Sequence, residues 1–81
     1  MRVVKEIPNN TCKITVFSWN DKYLIKFETA SMEQTYKVKQ WDILDENEID
    51  EIISTKFIDK VLARFDEMGK DFTEALDNIN T

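Results

Sequence analysis

KITVFSWNDKYLIKFETASMEQTYKVK, residues Lys13 to Lys39, is the stretch that decides the fold. Runs 12–19, 22–29 and 32–39 are rich in Val, Ile, Phe, Tyr and Thr and alternate in character, the period-two pattern of half-buried strands. Asn20-Asp21 separates the first two runs. Both residue types tolerate positive φ, although no Gly supplies it at the second position. A two-residue loop there sets Ser18 opposite Tyr23, Val16 opposite Ile25 and Ile14 opposite Phe27. The other face then pairs Trp19 with Lys22, Phe17 with Leu24, Thr15 with Lys26 and Lys13 with Glu28, the last of opposite charge. A three-residue loop would slip the register, placing Ile14 against Glu28 and Val16 against Lys26 and mixing apolar with charged side chains. The pattern favours the shorter loop.

A second turn at Ala30-Ser31 sets Phe27 opposite Gln34, Ile25 opposite Tyr36 and Tyr23 opposite Val38. Its flaw is Glu28 facing Glu33. The two registers agree on one inward face: Ile14, Val16, Tyr23, Ile25, Phe27, Tyr36 and Val38. Residues 2–7 (RVVKEI) suit a further strand, with Pro8 at its end where it removes no ladder bond.

The opposite face gathers Lys13, Lys22, Lys26, Lys37 and Lys39 around Phe17, Trp19 and Leu24. It is the candidate interaction surface. Exposed aromatics among lysines suit a protein partner, since aromatics concentrate in interfaces. They also suit single-stranded nucleic acid, whose bases stack on rings while its phosphates meet cations. The Gly-and-aromatic pattern of RNA-recognition strands is absent. The plainer alternative is an ordinary solvated face with its aromatic end covered by residues 2–7 or Trp41.

After Trp41 the period changes to that of a helix. Asp45 and Glu48 are spaced as a capping pair, with Ile49, Ile52 and Ile53 on one side of the short helix that follows. Ser54-Thr55 offers a break and a new cap. Ile58, Val61, Phe65, Met68, Phe72, Ala75 and Ile79 then recur in steps of three and four, widened by Phe57, Leu62 and Leu76. Gly69 could divide the segment, but the apolar phase passes through it unbroken. One helix from about Lys56 to Asn78 is therefore expected. It would be roughly 35 Å long at ~1.5 Å per residue, against about 27 Å for an eight-residue strand. It overhangs the sheet, so Phe65, Met68, Phe72, Leu76 and Ile79 form the candidate dimer helix.

Composition bounds the rest. The chain of 81 residues is 42% hydrophobic and 33% charged, which fits one globular domain, residues 1–41 as sheet and 42–81 as helices. A core this small needs support. One Cys and no His exclude an internal disulfide and a Cys/His zinc site, so a second chain is the support that remains, a homodimer. The absence of His also removes Ser-His and Cys-His nucleophile pairs, and a lone Gly makes no phosphate loop. No catalytic, cofactor or metal residue is assigned.

The acidic run Asp42, Asp45, Glu46, Glu48, Asp50, Glu51 lacks the central Gly of an EF-hand and reads as a solvated helix start. The net charge of −5 argues against general affinity for DNA or anionic membranes. It hides an asymmetry. Residues 1–41 carry seven Lys/Arg against four Asp/Glu, and residues 42–81 four against twelve. The N-terminal residues lack the apolar run of a secretion signal, and no stretch reaches transmembrane length, so a cytoplasmic location is expected. The expectation is an α+β protein. An antiparallel meander of three or four strands packs one face on a short helix and a long C-terminal helix, and the protein acts as a non-catalytic interaction module.

Overall fold

The computed structural model describes residues 1–80. Strands β1 (Arg2–Ile7), β2 (Lys13–Trp19), β3 (Lys22–Glu28) and β4 (Glu33–Lys39) form one antiparallel sheet in sequence order. A 3-10 turn at Gln40–Asp42, helix α1 (Asn47–Ile52) and helix α2 (Thr55–Asn80) follow. The architecture is α+β, with both helices after the strands.

The two-residue hairpin is present. Asn20 (φ 50°) and Asp21 (φ 61°) are the two non-Gly residues at positive φ among those described. Two left-handed residues in succession match the right-handed twist of the flanking strands. The register follows, with Ile14 opposite Phe27, Val16 opposite Ile25 and Lys13 opposite Glu28. The β3–β4 register is also the one read from sequence, from Tyr23 opposite Val38 to Glu28 opposite Glu33.

Residues 2–7 are an edge strand in the plane of the sheet. Register shifts between Val3 and Lys5, a bulge that leaves Val4 out of the pairing. After the bulge Lys5 stands opposite Val16, in an otherwise inward-facing row. Its ammonium donates to Asp50 of α1 at 3.2 Å. A charged side chain at a sheet edge is tolerated there because its head reaches a carboxylate.

The core lies between sheet and helices. Ile14, Val16, Ile25 and Phe27 from the sheet meet Ile49, Ile53, Val61 and Phe65, all buried. Phe27, Tyr36 and Phe57 form an edge-to-face trio with centroids 5.3–6.0 Å apart. Gln34, on the inward face of β4, donates through Nε2 to the Val61 carbonyl at 3.0 Å and accepts from the Tyr36 hydroxyl at 2.7 Å. The one polar residue in the inward rows of β4 is thus satisfied on both ends of its amide.

Three local expectations are corrected. Helix α1 starts one residue later than the Asp45 cap implied, with Glu46 at the cap position and no side-chain cap bond. Asp45 and Glu48 still act as a pair, shifted toward the N-terminus. Asp45 Oδ1 accepts from the Asn47 amide at 2.8 Å, and Glu48 Oε1 from the Leu44 amide at 3.0 Å. Ile52 does not join Ile49 and Ile53 but is exposed, because α1 ends there and the non-helical cap residue Ile53 takes the core position instead. Helix α2 is also longer than expected, beginning at Thr55 with Ser54 Oγ accepting the Phe57 amide at 3.2 Å.

Helix α2 runs unbroken through Gly69, whose nearest neighbour is the Met32 side chain at the β3–β4 turn. From Lys70 to Asn80 every residue is exposed. A helix of 26 residues is about 39 Å long, and the molecule measures 51 × 26 × 18 Å.

Two stability changes follow. Phe27→Ala removes a fully buried ring from an edge-to-face trio and should cost about 3–5 kcal/mol, read as a lower urea midpoint. Asp21→Gly relieves a left-handed aspartate and should raise stability by up to about 1 kcal/mol. An unchanged midpoint in the first, or a lowered one in the second, would contradict the packing or the turn described here.

Candidate interaction surfaces

The strand positions on the outward face form three rows between the two turns' ends and a fourth at the β3–β4 end. Val3, Phe17, Leu24 and Lys37 run across the sheet in one, and Trp19, Lys22 and Lys39 end it beside the β2–β3 turn. Glu6, Thr15, Lys26 and Thr35 form the third, closer to the β3–β4 turn, beyond which lie Lys13, Glu28 and Glu33. All five lysines of β2, β3 and β4 therefore share the outward face, while Lys5 of β1 stands in an inward row. Both helices pack on the other face, through Phe57, Val61 and Ile49.

The aromatic end is uncovered. Strand β1 extends the patch rather than capping it, because Val3 pairs beside Phe17 and is itself 54% exposed. Trp41 does not cap it either. It is 70% exposed, with the Lys39 ammonium 5.5 Å from its ring centroid. Trp19 is 49% exposed, and Phe17 and Leu24 are half-buried. Thr15, though on the outward face by register, is buried in the central strand β2 between Glu6 and Lys26. Period-two alternation alone could not reveal that.

The two ends of this face differ in charge. At the β3–β4 end Lys26 lies 3.1 Å from Glu33 and 3.8 Å from Glu28, so one lysine sits between the two like-charged residues of that register. The hydrogen bond to Glu33, with the charges of Glu28 and Glu33, raises the Lys26 pKa above its usual 10.5. Because the folded value exceeds the unfolded one, the contribution is complete below about pH 10.5 and is lost as pH rises through the folded value. At the β2–β3 end Lys22, Lys37 and Lys39 are exposed, and the strand positions of their two rows carry no carboxylate.

The second surface is the free end of α2. Phe65 is buried and Met68 half-buried against the sheet, but Phe72 is 56% and Ile79 81% exposed, with Leu76 exposed between them. These residues continue the stripe that buries Val61 and Phe65, so the bare portion faces the side on which the sheet has ended. A shallow groove beside it is lined by Met32, Phe65, Gly69 and Thr73.

The other residue groups with chemical potential lie apart from these surfaces. Cys12 is buried at the start of β2, its thiol pushed up in pKa by burial, which makes it a poor nucleophile. Asn9 Oδ1 accepts from the Thr11 and Cys12 amides at 2.8 and 3.2 Å, so Asn9-Asn10-Thr11 is a polar turn. Of the acidic run, Asp50 engages Lys5 and Glu46 lies 3.8 Å from Arg2. Among the described residues no cluster of three or more acidic or Cys side chains converges as a cation site. No described helix is long and apolar enough to cross a membrane. No protein family, curated protein or solved structure matches this chain.

Replacing the lysine between the two glutamates tests the charge layout. Lys26→Gln removes the cation between Glu28 and Glu33, leaving only Lys13 opposite Glu28, so the variant should melt below wild type at neutral pH. The gap should narrow as salt is added, because screening weakens both the lost ion pairs and the repulsion left behind. Thermal melts across salt concentrations measure it, and a gap independent of salt would show that Lys26 contributes packing rather than charge.

Proposed function

We propose that the protein is a non-catalytic interaction module that forms a homodimer through the free end of α2. One observation carries this reading. An apolar stripe continuous with the core runs past the sheet and leaves Phe72, Leu76 and Ile79 in water. Burial of such side chains is worth about 1.5–3 kcal/mol each when complete. A small domain lacking a disulfide has reason to recover it from a second chain. The dense helix-side acid and the basic sheet face add polarity suited to orienting a partner.

Light scattering on the intact chain tests the proposal. Wild type should show at least twice the mass of one chain at micromolar concentration. Phe72→Ser/Leu76→Ser should be monomeric with a little-changed melting temperature, since neither side chain touches the core. A wild-type monomer at all concentrations would defeat it.

A second reading is supported by the exposed Trp19 and Trp41 rings beside Lys22, Lys37 and Lys39. In this reading the outward face binds single-stranded nucleic acid by stacking and phosphate contacts. Labelled single-stranded RNA and DNA at low salt should then bind, and Lys22→Glu/Lys37→Glu should abolish binding. No binding by wild type would remove this reading.

A further inference from the structure

We infer that the free end of α2 docks on the β2–β3 end of the outward sheet face of a second copy, in a head-to-tail contact. The inference rests on the proposed self-association through α2 and identifies the surface that receives it. Both surfaces are bare on the same molecule, and they are complementary. Residues 70–80 present Phe72, Leu76 and Ile79 with Asp71, Glu74 and Asp77 against the single Lys70. The receiving end presents Val3, Phe17, Leu24 and Trp19 with Lys22, Lys37 and Lys39, three cations against the single carboxylate of Asp21 in the adjoining turn. Sizes agree as well. Eleven helical residues span about 16 Å, and four strands at ~4.8 Å spacing are about 14 Å wide.

The geometry excludes the simpler arrangements. A chain cannot satisfy itself, because α2 packs on the inward face and leaves the sheet at the β3–β4 turn, where Met32 meets Gly69. The basic apolar patch lies at the other end and on the other face. Pairing two free helix ends face to face would set three carboxylates and one lysine against the same set, with repulsion along the seam. A two-fold exchange, each helix end on the other's outward face, requires the β3–β4 ends of the two sheets to meet. The helix ends would then reach the two rows where Glu6, Glu28 and Glu33 outnumber Lys13 and Lys26 and where Lys26 is already held by Glu28 and Glu33, a poorer match for their acidic charge. The complementary end is reached only when the helix end of one copy meets the β2–β3 end of the next. That contact is heterologous, so each added copy still offers one free helix end and one free sheet face. The dimer is the first step of a linear series. Nucleic acid on the same face would leave the helix stripe in water, whereas a second copy covers both.

Two full-length variants and their mixture test this. Phe72→Ser/Leu76→Ser keeps the sheet face and loses the helix end, while Lys22→Glu/Lys37→Glu keeps the helix end and reverses the face. Each should fold, by circular dichroism, and sediment as a monomer. Their equimolar mixture should form a heterodimer of twice the monomer mass that grows no further. Wild-type mass should climb past the dimer with concentration and fall with added salt.

A wild-type monomer would overturn both this inference and the homodimer on which it rests. A lysine-reversed variant that still dimerises, with a mixture showing no new species, would overturn the head-to-tail contact and leave dimerisation through α2 standing. Lysine-dependent binding of single-stranded RNA without any change in mass would assign the face to nucleic acid and overturn the inference.

Discussion

Two consecutive left-handed residues, Asn20 and Asp21, hold the register on which everything else depends. Side chains alternate along a strand, so a slip of one residue would exchange the faces of β2 against β3. With the register fixed, Ile14, Val16, Ile25 and Phe27 form a dry plane for the helices, and the lysines are carried to the other side. Neither residue of the turn is Gly, so the local backbone is not at its preferred conformation. The cross-strand pairs, ending in Lys13 with Glu28, supply the compensation.

The same constraint explains why the outward face is not uniform. Glu28 must face Glu33 once β3 and β4 are in register, and Lys26 resolves that repulsion by sitting between them. The lysine so engaged is unavailable to a partner. Lys13 at that end stands opposite Glu28, so the excess of positive charge is left to Lys22, Lys37 and Lys39 at the far end, which is also where the aromatics lie. Charge segregation along the sheet follows from pairing, not from composition.

Much of this was legible in the sequence because it is periodic. Both hairpin registers, the inward face and the passage of α2 through Gly69 follow from counting by two or by 3.6. What escaped is non-periodic. The bulge at Val4 turns Lys5 toward Asp50, and no pattern marks a single unpaired residue at an edge. The shifted start of α1 depends on which amides Asp45 and Glu48 reach, a matter of backbone path. Whether Phe17 and Trp19 are covered depended on whether residues 2–7 lie in the sheet or over it. Their strand character was readable but their plane was not.

The two bare surfaces share a cause. A helix seated by Phe57 near Tyr36 and by Val61 near Gln34 begins halfway along the sheet and is directed toward the β3–β4 turn. It therefore leaves the β2–β3 end of the sheet early and overshoots the other end by about three turns. The same choice of seat that exposes Phe72, Leu76 and Ile79 puts distance between them and the lysine-rich end of their own sheet. Shortening α2 would remove the overhang without altering the outward face, and shifting its seat would expose Val61 or Phe65. A domain of this size can thus bury its core and still leave two apolar surfaces bare, on opposite faces and at opposite ends of the molecule.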